Sequence, residues 1–274
     1  MNRALRLTVP DARTSDFVRT WRIPFEPAGP VRVTLHGGPA ADRSRAPGPG
    51  IQVHLTFGYL ARADVASRTL DIWPEGEPTP DLRAPLILRQ LLCVAAGGLP
   101  LHASSVEVRR REAWAFCAPP EGGKSTCRRL LTSLAGPAEP DARGEAICET
   151  CSDEQCLIFP ADAVDTGADA EPAAFYALSE LTEDLASGRA ESRLSPLTGI
   201  FFLEKGGETR RRPAGKAEAV RRLFGASLVA AREPALRESQ LRICSEVGGR
   251  TPCAILRFRL SADELGRELG LAPW

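Results

Sequence analysis

The segment that most restricts the fold of this chain is AWAFCAPPEGGKSTCRRLLTSL, residues 113–134. It begins with an unbroken apolar run, continues with a loop that contains two adjacent glycines, and ends in an amphipathic stretch before Gly136-Pro137. Short apolar runs bounded by turn residues are typical of buried strands, and glycine and proline commonly follow the end of a helix. The segment therefore predicts a strand over 113–118, a loop, and a helix over 124–134.

The loop closes with Gly123-Lys124-Ser125, in a chain that contains 32 arginines and only three lysines. At the chain's own residue frequencies, G-K-[ST] would arise by chance roughly 0.03 times. Backbone N–H groups at a helix start and an adjacent lysine favour a bound phosphate, and glycine allows the backbone to approach it closely. The sequence thus predicts a phosphate-binding loop formed by Ala118, Pro119, Pro120, Glu121, Gly122, Gly123, Lys124, Ser125 and Thr126.

Ala118 occupies the position where the phosphate-loop pattern G-x-x-x-x-G-K-[ST] has its first glycine. Alanine is the smallest substitute for glycine, and the N–H donors from Glu121 to Ser125 are all retained. The alternative interpretation is a glycine-containing turn before an ordinary helix, with Lys124 in solvent.

The rest of the chain indicates an α/β protein with a β-rich N-terminal region. Residues 1–80 are interpreted as mostly extended, with strands at 4–9, 31–36, 51–58 and 69–73. Residues 81–274 are interpreted as the domain that carries the loop, because strands and helices alternate there. The predicted strands are 103–108, 113–118, 155–159, 198–205 and 253–260. The predicted helices are 84–98, 124–134, 171–187, 215–228, 233–247 and 262–270, the last opened by a Ser261–Glu264 capping box.

Two acidic residues and one histidine are candidates for chemistry beside the loop. Asp153 and Glu154 precede a predicted buried strand, and carboxylates near bound phosphates can hold Mg²⁺ or accept a proton. Ser125 is placed to ligate Mg²⁺ through its hydroxyl. His102 is one of three histidines, and a lone histidine is more often structural than catalytic.

The eight cysteines fit reduced thiols better than a disulfide scaffold. Cys148, Cys151 and Cys156 lie close together, and Cys244 and Cys253 could complete a metal site. The C-x2-C-x4-C spacing is not repeated and no histidine lies near it, so we expect small buried hydrophobic residues instead.

The 35 basic and 35 acidic residues cancel, so no global field attracts the chain to nucleic acid or to anionic lipid. The first residues contain no apolar core of signal-peptide length, and no stretch approaches the roughly 18 apolar residues that span a bilayer. We therefore expect a cytoplasmic protein without nucleic-acid or membrane partners.

Taken together, the segments LHASSV, AWAFCAPPEGGKSTCRRLL, CSDEQCLIF and TGIFFLEKGGE resemble the kinase domain of the HPr kinase/phosphorylase family. The likeness is greater to its smaller relatives associated with ribosomal peptide modification. It covers residues 84–205 well and implies the phosphoenolpyruvate-carboxykinase-like P-loop fold. Glu154 stands where the usual acidic pair has a second aspartate. The glutamate- and glycine-containing signature of true HPr kinases is absent, which argues against HPr as the substrate.

The resemblance implies roles for the candidate residues. Lys124 and the loop N–H groups would hold the phosphates of ATP, and Ser125 and Glu154 would hold Mg²⁺. Asp153 would be the general base, and His102 would sit beside the transferred phosphate. The expected activity is transfer of the γ-phosphoryl group to a hydroxyl, mainly of serine, in a peptide or small protein.

Two other functions remain open on the sequence alone. One is a nucleotide-binding regulator or ATPase that uses the acidic pair to orient water. The other is a degenerate scaffold that no longer binds ATP and only recruits a partner. A homo-oligomeric assembly is also left open.

Overall fold

The computed structural model describes residues 4–20, 25–27, 29–37, 51–56, 58–75, 83–108, 112–134, 149–150, 155–166, 173–180, 192–228 and 234–271. Over these residues the protein is a mixed α/β structure in which two β-sheets pack with six helices. None of the described helices is long and apolar enough to cross a membrane.

The first sheet is built mainly from the N-terminal region. Its strand order is β12-β1-β3-β6-β5-β4, with β2 paired to β1, where the strands are β1 (Ala4–Thr8), β2 (Phe25–Pro27), β3 (Val31–Leu35), β4 (Ile51–Thr56), β5 (Tyr59–Asp64), β6 (Thr69–Pro74) and β12 (Val164–Asp165). Because β12 comes from much later in the chain, the first sheet is not confined to residues 1–80. Helix α1 (Ala12–Arg19) also lies in this region, where the sequence predicts mostly extended chain; the Asp11 carboxylate caps it by accepting from Thr14 N–H at 2.7 Å.

The second sheet carries the candidate loop. Its order is β10-β8-β9-β14-β13-β11-β7, and β16 pairs with both β14 and β15. These strands are β7 (Leu99–Leu101), β8 (Ala103–Val108), β9 (Glu112–Cys117), β10 (Glu149–Thr150), β11 (Cys156–Pro160), β13 (Phe175–Glu180), β14 (Ser192–Lys205), β15 (Arg210–Pro213) and β16 (Cys253–Phe258). The remaining helices are α2 (Arg83–Ala95), α3 (Lys124–Ser133), α4 (Lys216–Ala226), α5 (Pro234–Arg250) and α6 (Ala262–Leu269).

Strand β14 lies at the centre of the second sheet and is parallel to both β9 and β16. Its side chains alternate between two cores, as a strand covered on both faces requires. Ile200 and Phe202 pack with residues of α4 and α5, whereas Phe201 and Leu203 pack with residues of α3 and α6. The carboxyl ends of β9, β14 and β16 therefore meet at one edge, which is the edge that carries the loop.

The predicted strands are confirmed with ends that differ by at most two residues, except that β14 begins six residues before the predicted start. The helix predicted over 171–187 is wrong. Residues 175–180 form β13, which pairs antiparallel with β11 and β14. The run Phe175–Leu178 is buried between these neighbours, so strand pairing overrides the helical preference of an alanine- and glutamate-rich sequence. Residues 181–187 lie outside the described residues.

Of the two hydrogen bonds in the predicted capping box at α6, the one to the Ser261 side chain is present and the one to the Glu264 side chain is not. The Ser261 hydroxyl accepts from Glu264 N–H at 3.4 Å. The Glu264 carboxylate does not return to the Ser261 N–H group, which donates to Arg259 O. It accepts instead from the Arg259 guanidinium and the Thr209 hydroxyl, which ties α6 to the loop before β15.

Replacing Ser261 with alanine is expected to lower the free energy of unfolding by about 1 kcal/mol, because it removes the helix N-cap. Urea unfolding followed by circular dichroism measures the change. Ser133→Ala, at the exposed C-terminal end of α3, is the matched control and is expected to change stability by less than about 0.5 kcal/mol. Equal losses in the two variants would contradict the capping role of Ser261.

Candidate functional site

The predicted strand, loop and helix are present in the predicted order. Strand β9 ends at Cys117 and helix α3 begins at Lys124. The first intrahelical hydrogen bond is from Cys127 N–H to Gly123 O at 2.8 Å. The N–H groups of residues 124–126 precede that bond, so they form the electropositive N-terminus of α3 at the carboxyl edge of the sheet.

Two residues of the loop adopt left-handed backbone conformations. Gly123 has φ +94° and Glu121 has φ +60°. The first is ordinary for glycine, whereas the second costs a non-glycine residue about 1–2 kcal/mol. Backbone strain of this kind persists where the surrounding structure fixes it, and it is concentrated at functional sites. The loop therefore has the backbone strain at Glu121 that is often found at functional sites.

A side chain at Gly122 would clash with its neighbours, and one at Gly123 would be in tight contact. A Cβ atom at Gly122 would lie 2.5 Å from Ala118 Cβ and 2.8 Å from Pro119 O. A Cβ atom at Gly123 would lie 3.1 Å from Phe258 Cζ, which places the end of β16 against the loop. Nothing in the sequence around Phe258 indicates this contact.

Lys124 does not extend into solvent, in contrast to the alternative interpretation of the sequence. Its side chain is buried, and Nζ lies 2.9 Å from His102 Nε2, 3.0 Å from Ala118 O and 3.3 Å from Pro119 O. An ammonium group can only donate, so His102 Nε2 is the acceptor in this contact. The ammonium is thus held at the loop by the histidine that the resemblance places beside the phosphate.

His102 reaches the loop because of the β8–β9 hairpin. Ala103 pairs with Cys117, so the residue before Ala103 lies beside the first residue of the loop. The His102 N–H group donates to Ala226 O at 2.7 Å, which fixes the turn between β7 and β8. Next to it, the buried Ser104 hydroxyl donates to Lys124 O at 3.3 Å. The site residues predicted from the sequence do not include Ser104.

The structure clarifies the non-standard start of the loop. Ala118 and Pro119 both contribute backbone carbonyl groups, which accept from the Lys124 ammonium, and Pro119 O also accepts from Gly122 N–H at 3.0 Å. Any residue can supply a carbonyl. The exposed Pro120 removes an N–H donor early in the loop, before the N-terminus of α3.

Ala118→Gly is therefore expected to leave nucleotide affinity within about threefold of the original, since the carbonyl group is retained and one methyl group is removed. Titration calorimetry with ATP and Mg²⁺ measures the affinity. A tenfold gain would contradict this prediction, because it would show that Ala118 obstructs the nucleotide. Gly122→Ala is the contrasting variant, which we expect to weaken binding through the clash with Ala118.

Ser125 and Thr126 complete the predicted loop at the start of α3, with the Ser125 side chain exposed. A hydroxyl oxygen is a ligand of the kind that Mg²⁺ prefers, and Mg²⁺ commonly uses one or two protein ligands together with substrate phosphates. The exposed Ser125 hydroxyl therefore fits a metal ion bound with a nucleotide. No cluster of three or more His, Cys, Asp or Glu side chains suited to a metal occurs within the described residues.

The acidic pair, Asp153 and Glu154, lies outside the described residues. The described chain resumes at Gln155, which is buried and accepts from the Gln90 amide at 3.1 Å. Cys156 then pairs with Leu101, the residue before His102. The start of β11 is therefore next to the histidine that contacts Lys124.

The cysteines that the structure describes are free thiols in the interior. Cys156, Cys244 and Cys253 belong to one hydrophobic core with Cys117. Burial raises the thiol pKa to about 12 for Cys156, about 12 for Cys244 and about 11 for Cys253. These thiols are protonated at neutral pH and act as small apolar residues, while Cys148 and Cys151 lie outside the described residues.

Comparison with known proteins does not assign a family: no family model matches the chain, and no curated protein matches it significantly.

Proposed function

We propose that this chain is an ATP-dependent kinase that transfers the γ-phosphoryl group to a serine hydroxyl in a peptide or small protein. The observation that carries the proposal is the position of Lys124. A buried ammonium held by Ala118 O, Pro119 O and His102 at a helix N-terminus is a concentrated positive site. Such a site suits the β- and γ-phosphates of a nucleotide.

In this proposal the loop binds and orients the nucleotide. The N–H groups at the start of α3 donate to phosphate oxygens, and the Lys124 ammonium moves from the loop carbonyls to the phosphates. His102 keeps the ammonium next to the site before the nucleotide arrives. The Ser125 hydroxyl and the Glu154 carboxylate would hold Mg²⁺, which when bound would neutralise charge on the phosphates.

In the proposed transfer step, Asp153 acts as the general base for the acceptor hydroxyl. The acceptor hydroxyl oxygen forms a bond to the γ-phosphorus, and its proton passes to the Asp153 carboxylate. The bond between the γ-phosphorus and the bridging oxygen breaks, and ADP leaves with that electron pair. Positioning and charge stabilisation supply most of the rate in such reactions, which is why a rigid loop matters.

The test is a transfer assay with γ-labelled ATP, Mg²⁺ and a positional library of peptides with a central serine. A matched library with central alanine is the control. Label in the serine library alone is the expected result. Hydrolysis of ATP without transfer would favour a regulator or ATPase, and a chain that does not bind ATP would be a scaffold; either result would overturn the kinase proposal.

A further inference from the structure

One surface of the protein is basic although the chain as a whole is neutral. Residues 205–222 contain seven basic and two acidic side chains. This segment follows the carboxyl end of β14 and includes β15 and the start of α4. The basic residues are Lys205, Arg210, Arg211, Arg212, Lys216, Arg221 and Arg222. The segment begins at the edge of the sheet that carries the phosphate loop and extends to Lys216, which lies beside Gly249 near the end of α5.

Within this surface is an open cavity of about 230 Å³. Its lining comprises Glu204, Glu208, Arg210, Arg212, Ile255 and Arg257. Strand register places Glu204 beside Arg257, and Arg257 directly opposite Arg210. Three strands thus present a row of charged side chains in which two neighbours are arginines.

Two arginines directly opposite each other on paired strands repel, and such a pair is destabilising unless an anion lies between them. Arg257 has a weak partner, because its guanidinium lies 3.4 Å from Glu204 Oε2. Glu204 is already engaged by Arg222 at 2.5 Å, and this hydrogen bond holds the pKa of the Glu204 carboxyl below its usual value. One carboxylate is therefore shared between two guanidinium groups.

The other two arginines of the cavity differ from each other. Arg212 forms a two-point ion pair with the Glu218 carboxylate, with both distances 3.0 Å. In the part of the chain that the structure describes, the exposed Arg210 side chain forms no ion pair and no hydrogen bond. Arg210 therefore contributes to the cavity a positive charge that pairs with no carboxylate of the described residues, although Glu208 also lines the cavity.

The position of Arg257 is fixed by the backbone beneath it. A Cβ atom at Gly206 would lie 2.1 Å from both Cγ and Cδ of Arg257. The side-chain stem of Arg257 therefore lies directly on the glycine, and a larger residue would displace it. Gly206 therefore allows the Arg257 side chain to lie close to the backbone, and its own backbone angles are ordinary.

The free edge of β15 is closed to a pairing strand, which leaves the arginine side chains as the binding groups. The Ala214 N–H group donates to Cys253 O of β16. Because successive residues of a strand point their backbone groups to opposite sides, the nitrogen atoms of Arg211 and Pro213 face the free edge. The Arg211 N–H group donates to Glu268 Oε1 at 2.7 Å, and proline has no N–H group. A peptide cannot extend the sheet here by strand addition.

The cavity and the phosphate loop share an edge of the sheet. Cys117, the last residue of β9, pairs with Phe202, and Glu204 lies two residues, about 7 Å, farther along β14. Ligands of α/β sheets bind beyond the carboxyl ends of parallel strands. A group bound in the cavity would therefore lie on the same edge as a nucleotide at the loop.

We propose that Arg210 and Arg257 bind a carboxylate of an acidic acceptor peptide in this cavity. The proposal rests on the kinase function proposed above and names its substrate class: serine peptides with nearby acidic residues. Two guanidinium groups provide several donors for one carboxylate and make charge-assisted hydrogen bonds.

The test is a binding titration without ATP, followed by fluorescence anisotropy. The probes are a rhodamine-labelled serine peptide flanked by glutamates and the same peptide with glutamines. We expect the acidic peptide to bind more tightly, with affinity that falls as salt rises. Arg210→Gln is expected to weaken acidic-peptide binding by about tenfold and to leave the glutamine peptide unchanged.

Arg211→Gln is the matched control, because Arg211 is also exposed but projects from the opposite face of β15. Equal losses in the Arg210 and Arg211 variants would overturn the proposal, as would equal binding of the two peptides to the unmodified protein. Inorganic phosphate is titrated as a competitor. Displacement only at much higher concentrations is expected, whereas phosphate binding tighter than the peptide would exclude a carboxylate as the natural ligand.

Failure of this proposal is distinguishable from failure of the kinase proposal. The titration contains no nucleotide, so a protein with an inactive loop still gives a result. Acidic-peptide binding that depends on Arg210, in a protein that transfers no phosphate, would retain the cavity as a peptide site and reject the kinase. Transfer to serine peptides without any preference for acidic residues would support the kinase and reject the cavity as a site for acidic peptides.

Discussion

Lys124→Ala is expected to lower the affinity for ATP and Mg²⁺ by about 100-fold, because truncating a buried, hydrogen-bonded charge typically costs 2–5 kcal/mol of binding. The Lys124 ammonium is buried and lies within 3.3 Å of Ala118 O, Pro119 O and His102 Nε2. It is therefore held at the loop, from where it would move to the phosphates of a bound nucleotide. Titration calorimetry with ATP and Mg²⁺ measures the loss.

Lys205→Ala is the matched control for this prediction. Lys205 ends β14 at the same edge of the sheet, but its side chain is exposed. Its removal is expected to change the affinity by less than about threefold. Thermal unfolding of both variants verifies that they remain folded. A Lys124 variant that is folded and binds ATP as tightly as the original would reject the phosphate-loop interpretation.

The loop could be predicted from the sequence because its determinants are local. Glycine at positions 122 and 123, a lysine where the chain otherwise uses arginine, and an apolar run before them all lie within a short segment. The left-handed backbone at Gly123 and the helix that begins at Lys124 are consequences of those residues. Among the described residues, non-local contacts to the loop backbone come from the ring of Phe258 and from the Ser104 hydroxyl.

The partners of the loop could not be derived from spacing, because they depend on strand register. His102 and Lys124 are 22 residues apart, and only the pairing of Ala103 with Cys117 brings them together. The resemblance implied that His102 lies beside the phosphate, whereas the spacing of residues in the sequence gives no such indication. Likewise, no local pattern reveals that Arg210 and Arg257 are opposite each other.

The helix predicted over 171–187 is wrong because a strong local preference is overridden by contacts with distant strands. Locally, EPAAFYALSELTEDLAS favours a helix, since alanine, leucine and glutamate are good helix formers. The buried run Phe175–Leu178 instead fills the space between β11 and β14. Burial of both faces of a central strand is decided by its neighbours, which a single segment does not reveal.

Asp153→Asn is expected to reduce phosphoryl transfer by 10²–10⁴-fold while ATP affinity stays within about threefold, because general-base catalysis contributes a factor of this size. Asparagine retains the shape of the side chain but cannot accept the hydroxyl proton at neutral pH. Single-turnover transfer of labelled phosphate to a serine peptide measures the chemical step, and calorimetry measures binding. The two readouts together separate a lost base from a lost nucleotide.

Asp162→Asn is the control for the change of carboxylate to amide. Asp162 is exposed and pairs with Arg68 at 2.6 Å, in the short turn that follows β11, so its replacement is expected to leave transfer unchanged. If Asp153→Asn lowered ATP affinity and transfer by the same factor, Asp153 would act in binding the nucleotide and its metal. If transfer were unaffected, the hydroxyl proton would leave by another route, and the role assigned to Asp153 by the resemblance would not hold for this chain.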